Sequence, residues 1–362
     1  MKIPTIAILA ALGGLQTVVA QQVGNTMIWV DATTCDPWAK SNGFPAAAGS
    51  GGLFTTALGI LQNIVDANFY RMLNPSKQSL ATLPANVLAW ERYRLNSTYD
   101  AFFGNNTNTT RGSQGVWNAG FALSGVHYLW APSNGKPVQI FVACDDAPYL
   151  SKNSSGNVFY TDPFYHSTIP LNGDRPTTTQ EVTSGCATNG RSGYRNKNTI
   201  HWFQNIILCT KNMNLPLGFT SKGLTAFGSG TTLDVAGKSW IGALFTQALW
   251  STGIVGLTPS PHGFAAVHAI RNTRDVLYNP DAHKFFTFSL ILDNLFWGSG
   301  VGQTPQQEYT SLQKTAAGKR IIDAFGLTNI TVPARGVNWI SGWTPPPMLG
   351  KDAANVGAIP TA

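Results

Sequence analysis

Stretches with helical spacing of apolar residues alternate along the chain with short apolar runs of strand length. Leu53, Ala57, Leu58, Leu61, Ile64, Val65 and Phe69 recur at i, i+3, i+4 spacing, which predicts an amphipathic helix with one face in a core. Pro84 interrupts the pattern, and a second helix is predicted over 87–95. Residues 115–130 are again apolar and helix-like. Residues 138–144 (VQIFVAC) combine β-branched and aromatic positions over a strand's length, the strongest strand signal in the chain. A second strand is predicted within 199–209, in HWFQNIILC.

Residues 240–257 carry no charge, but Thr246, Gln247, Ser251, Thr252 and three glycines make them a poor membrane span. A helix buried in a soluble core is the better reading. A further apolar helix is predicted over 281–297. Residues 21–51 read as an irregular N-terminal segment. The tail beyond Trp343 is rich in Pro and Ala and reads as disordered. Together these elements predict an α+β fold, mainly helical with a small sheet.

The N-terminus adds a compartment. Lys2 precedes an uncharged apolar stretch from Ile6 to Val19, and Val18-Val19-Ala20 supplies small or medium residues before a cut. That is the three-part pattern of a secretory signal peptide over residues 1–20, with Gln21 as the mature N-terminus. The stretch is short for a bilayer span of about 20 residues, so no membrane span is expected in the mature chain. Five N-x-S/T sequons stand at Asn96, Asn105, Asn108, Asn153 and Asn329. Three fall in the Asn/Thr-rich stretch 96–110, which reads as an exposed, glycosylated loop. Four cysteines, Cys35, Cys144, Cys186 and Cys209, suit two disulfides in a secreted chain and allow three pairings. No C-x-x-C pair is present, which disfavours a zinc ribbon.

Composition narrows the partners. Charged residues make up only 11% of the 362, and the net charge of +7 is spread thinly. No Lys/Arg run or basic–aromatic interleaving of the nucleic-acid type occurs, so no nucleic acid partner is expected. A thin positive charge favours loose attraction to acidic surfaces.

Several motifs come in a fixed order. These are YDAFFG at Tyr99–Gly104, an Asn/Thr loop with Arg111, IFVACDD at Ile140–Asp146, IILC at Ile206–Cys209, the long apolar helix, and NPDAHKFF at Asn279–Phe286. In that order they resemble the deuterolysin-type zinc endopeptidases, or aspzincins, which fungi and some bacteria secrete. The resemblance covers roughly residues 53–295 and is most specific at Asn279–Phe286. It implies a zincin-like domain over 52–300 with an insertion near 167–197, followed by a C-terminal extension over 301–362. It also implies the cysteine pairing Cys35–Cys144 and Cys186–Cys209.

The family's chemistry needs His-Glu-x-x-His on a helix, so that two imidazoles on one face grip zinc and the Glu activates the bound water. A downstream Asp is the third ligand, and a Tyr-Gly pair follows. In this chain the histidine positions carry Phe245 and Leu249, the glutamate position Thr246, the aspartate position Pro259, and the Tyr position His262. Phe, Leu and Pro offer no side-chain lone pair, so no catalytic residue and no cofactor are expected. Filling former ligand positions with apolar volume can be neutral or stabilising for a core. Asn279 and Asp281 are expected to act as structural hydrogen-bonders.

An alternative is a rebuilt zinc site that draws on His262, His268, Asp281 and His283. His262 and His268 are six apart, which is not one helical face. Surface or capping histidines are the plainer reading, alongside His127, His166 and His201 elsewhere. Gly-x-Ser-x-Gly is absent; Gly228-Ser229-Gly230 and Gly298-Ser299-Gly300 read as turns. Asp145 and Asp146, with Glu91, could in principle supply paired carboxylates, but Asp145-Asp146 reads better as a turn.

The sequence therefore predicts a secreted glycoprotein with a metallopeptidase-like fold and a degenerate site. Its expected mode of action is binding an extracellular protein, peptide or glycan. The alternatives are an active zinc endopeptidase with divergent ligands and a structural cell-wall glycoprotein.

Overall fold

A computed structural model describes residues 18–23, 26–49, 51–54, 84–104, 139–155, 158–161, 163, 168–170, 186, 193–198, 203–213, 219–220, 223–224, 227–237, 239–251, 262–330 and 355–357. The helices predicted over 53–69 (beyond Phe54) and 115–130 lie outside these residues, as do Arg111, His127, His166 and His201.

A six-stranded sheet organises the molecule. Its strands are β1 (Val18–Val23), β2 (Thr26–Asp31), β3 (Gln139–Ala143), β7 (Gly193–Asn198), β8 (Phe203–Leu208) and β11 (Asn355–Gly357). The spatial order is β11-β1-β2-β3-β8-β7. The middle strands β2, β3 and β8 run parallel, with Ile28 beside Ile140 and Val142 beside Ile206. The outer pairings are antiparallel. Strand periodicity sends alternate residues to opposite faces. Ile28, Val30, Ile140, Val142, Ile206 and Leu208 enter the main core with the helices. Trp29, Phe141, Ala143 and Ile207 enter a second cluster with Tyr149, Val158 and Tyr160. That second face is covered by a small antiparallel sheet of β4 (Leu150–Lys152), β5 (Val158–Thr161) and β6 (Thr168–Pro170). Two-residue strands β9 (Phe219–Thr220) and β10 (Gly223–Leu224) pair separately.

The helices are α1 (Ala32–Ser41), α2 (Ala85–Phe103), α3 (Leu233–Gly237), α4 (Trp240–Ser251), α5 (Phe264–Ala269), α6 (Pro280–Ile291), α7 (Pro305–Gln313) and α8 (Ala316–Phe325). The fold is mixed α and β with two disulfides, Cys35–Cys144 and Cys186–Cys209. Among the described residues no helix is long and apolar enough to cross a membrane.

Three expectations need correction. Residues 21–51 are not irregular: β2 is an inner strand of the sheet and leads directly into α1. Asp31 caps α1 by accepting from Thr33 N at 3.0 Å. An inner strand is buried on both faces and lacks the alternation that marks a half-buried one, while Pro37 and two threonines hide the helix. The proposed glycan loop does not begin at Asn96, because α2 runs on to Phe103. Tyr99, Phe102 and Phe103 are buried in the main core, and this packing overrides the weak helix propensity of Asn96-Ser97-Thr98. Gly104 ends α2 at φ +51, where a Cβ would run into Asn272 Oδ1.

The third correction concerns the tail beyond Trp343. Residues 301–330, ahead of it, are part of the packed fold. Trp90, Tyr93, Phe296 and Leu327 form a third cluster flanked by Tyr309, Leu312, Ile321, Ile322 and Phe325. Thr304 and Gln307 cap α7 reciprocally: Thr304 Oγ1 accepts from Gln307 N at 3.2 Å, and Thr304 N donates to Gln307 Oε1 at 2.8 Å. Of the tail expected to be disordered, Asn355–Gly357 forms a strand against β1.

Candidate functional site

The helix that the motif order aligns with the zinc helix of the aspzincins is α4. It packs against β7, β8 and α6. Phe245 and Leu249, one turn apart, are both completely buried. Phe245 packs against Phe288 of α6 with ring centroids 5.9 Å apart. Each such side chain contributes about 1.5–3 kcal/mol by leaving water. Thr246 is also buried and turns its hydroxyl back on its own helix, donating to Gly242 O at 3.0 Å. Pro259 lies outside the described residues.

Helix α6 is the hub of the helical layer and touches α2, α3, α4 and α5. Every side chain from Pro280 to Leu290 is buried. Asn279 caps it, its Oδ1 accepting from Ala282 N at 2.9 Å, and Pro280 occupies the first helical position. Asp281 is buried and accepts from three sides. Lys284 Nζ lies at 2.7 Å, Gly263 N at 3.0 Å and His262 Nδ1 at 3.5 Å. Burial alone would push this carboxyl up, but the Lys284 ammonium and the His262 contact outweigh it and hold the carboxyl well below the usual carboxylate range.

The turn before α5 is therefore held by two carboxylates. Asp281 takes Gly263 N, and Asp234 Oδ1 takes Phe264 N at 2.8 Å. Gly263 sits at φ +86, where a side chain is strained. His262 stands on this turn with its side chain 70% exposed.

The four candidate ligands do not converge. Among the described residues the ion-pair partner of His262 is Asp281, at 3.5 Å. His268 is bound through Nδ1 to Ala101 O at 2.8 Å and stacks on Phe264. His283 is completely buried, with Nε2 donating to Leu277 O at 2.8 Å and its ring against Phe103. Burial pushes its pKa down to about 4, so it is neutral. Among the described residues Nδ1 has no hydrogen-bond partner. Among the described residues no three His, Cys, Asp or Glu side chains gather closely enough to hold a metal ion. The residues on α4 do not fit zinc either, since Phe245 and Leu249 have no donor atom.

The remaining chemical candidates are internally satisfied. Lys211 pairs with Asp145 at 2.8 Å, and Asp146 accepts from Cys186 N at 2.9 Å. Glu91 lies 3.7 Å from Arg94. Ser229 donates to Gln307 at 2.6 Å and Ser299 to Val301 O at 3.2 Å. Of the sequon asparagines, Asn96, Asn153 and Asn329 are exposed, while Asn105 and Asn108 lie outside the described residues.

Sequence reasoning missed Asp234, Lys284 and Arg94. Arg94 is buried on α2 and reaches the carbonyls of Asp293, at 2.8 Å, and Leu295. Its guanidinium lies 4.0 Å from the centre of the Phe296 ring. Lys284 had one available signal, its position one turn after Asp281. Arg94 had one too, as a cation between Tyr93 and Leu95.

The described architecture defines a disulfide-bonded protein of mixed α and β structure whose helix α4 buries Phe245 and Leu249 in the core. Compared with known proteins, the chain matches no family model, no curated protein and no solved structure.

Proposed function

We propose that this is a secreted glycoprotein with an aspzincin-like fold whose zinc site has degenerated, and that it acts by binding an extracellular protein, peptide or glycan. The observation that carries the reading is α4: the two positions one turn apart that would hold zinc are Phe245 and Leu249, both sealed in the core. The position of the general base is Thr246, whose hydroxyl is spent on its own backbone. A helix of this kind can position neither a metal nor an activated water. Secretion is supported by the two disulfides, by the leader pattern at residues 1–20 and by the exposed sequon asparagines at 96, 153 and 329.

Two assays test the reading. In the first, the protein secreted by a eukaryotic host is supplied with zinc and incubated with an unfolded protein substrate. No cleavage above a chelator-treated control is expected. Chelator-sensitive cleavage that His262→Ala abolishes would overturn the proposal. In the second, the same protein is presented to arrays of extracellular proteins, of peptides and of cell-wall glycans. Retention on one class identifies the ligand chemistry, and retention on none of the three contradicts the binding role.

A further inference from the structure

We propose that Gln21 is a modification site. Once the leader is removed, its α-amino group closes on its own side-chain amide and leaves a pyroglutamyl N-terminus at the start of a sheet strand. The inference rests on the secretion reading. The leader pattern places the cut between Ala20 and Gln21, and that point falls inside β1, not ahead of it. Strand β1 covers Val18–Val23 and is paired along both edges. Gln21 stands opposite Ile28 of β2 on one side and Val356 of β11 on the other. Cleavage removes Val18, Val19 and Ala20, so the processed strand begins at Gln21 with a strand on either side.

A free N-terminus at that position would bring an ammonium group into a backbone ladder. Glutamine, as a first residue, can remove that charge unaided. The unprotonated α-nitrogen attacks its own side-chain carbonyl carbon, Cδ. The new bond is N–Cδ, the bond broken is Cδ–Nε2, and the amide nitrogen leaves as ammonia with a proton from the amine. Nothing is oxidised or reduced, and no co-reactant is needed. The resulting lactam is uncharged and keeps one N–H that can donate to a neighbouring strand. Gln22, opposite Met27 and Asn355, and Val23, opposite Thr26, then continue the strand. Gln22 cannot undergo the same closure, because its nitrogen is already in a peptide bond.

The test is tandem mass spectrometry of the N-terminal peptide of the protein secreted into the medium. A synthetic peptide with the same glutamine start is carried through the digestion to score cyclisation during handling. The expected result is a peptide that begins at residue 21 and is lighter by one ammonia, at a level above that control. Gln21→Ala is expected to be cut at the same place and to keep a free amine. A peptide that starts at Gln21 with its amine free overturns the modification and leaves secretion standing. A peptide that starts at any other residue overturns the cut at Ala20–Gln21 and the modification with it, and protein that stays in the cells and never reaches the medium overturns the secretion reading.

Discussion

Lys284 places its ammonium 2.7 Å from the Asp281 carboxylate one turn earlier on α6, and both side chains are buried. The same carboxylate holds Gly263 N, so one buried ion pair ties the central helix to the turn that carries His262. Asp281→Ala leaves Lys284 charged in the core without its partner and Gly263 N without an acceptor. The expected loss is about 3–5 kcal/mol in urea unfolding. In the double variant Asp281→Asn, Lys284→Met no charge is left unpaired, and it should be clearly more stable than Asp281→Ala. A double variant no better than the single one would contradict the pairing.

Acid should weaken the fold through two groups in different windows. His283 is held down to about 4 by burial, against an ordinary value near 6.5. Between these values the unfolded chain binds a proton that the folded one refuses. Stability is therefore full above about pH 6.5 and falls as pH drops toward 4, by up to about 3 kcal/mol. His283→Gln removes the titration, and its unfolding free energy should vary less over that window than the wild type's. Asp281, whose pKa is depressed, contributes stability that is present above about pH 4 and is lost below it. Equal pH slopes for wild type and His283→Gln between pH 4 and 6.5 would contradict the assignment.

Arg94 joins α2 to the turn at 293–296 by donating to two carbonyls from one planar group. Arg94→Ala should cost about 3–5 kcal/mol, because Glu91 loses its counter-charge and two buried carbonyls lose their donors. Arg94→Lys should recover little, since a single ammonium cannot reproduce the fork. Chemical denaturation of the three proteins decides this, and a lysine variant as stable as the wild type would count against the clamp.

Much of the helical and strand framework was legible in the sequence. Residues 139–143 and 203–208 read as strands because β-branched and aromatic residues run together there, and α4 and α6 read as helices because their apolar residues are continuous. The cysteine pairing came only through the motif order, since four cysteines alone leave three choices. β2 was hidden because an inner strand carries no alternation. The end of α2 was hidden because a sequon inside a helix resembles a loop until Tyr99 and Phe103 are seen in the core. α7 and α8 did carry signals, in the Thr304–Gln307 capping box and in Gly326 with its left-handed φ of +66. Their relation to the rest rests on long-range contacts such as Trp90 Nε1 to Thr328 O at 2.9 Å, which no local pattern reveals. At the candidate site, the sequence marked Phe245, Thr246 and Leu249 as lacking ligand chemistry. It could not show that the carboxylates of Asp281 and Asp234 hold the neighbouring turn.

The helix carrying Phe245 and Leu249 offers a metal no donor atom at either position. Elemental mass spectrometry of the purified, secreted protein, dialysed against zinc-containing buffer and then against chelator-free buffer, tests it directly. The account predicts zinc far below one equivalent. Zinc near one equivalent, lost on changing His262 or His283 to Ala in a variant that still folds, would contradict it.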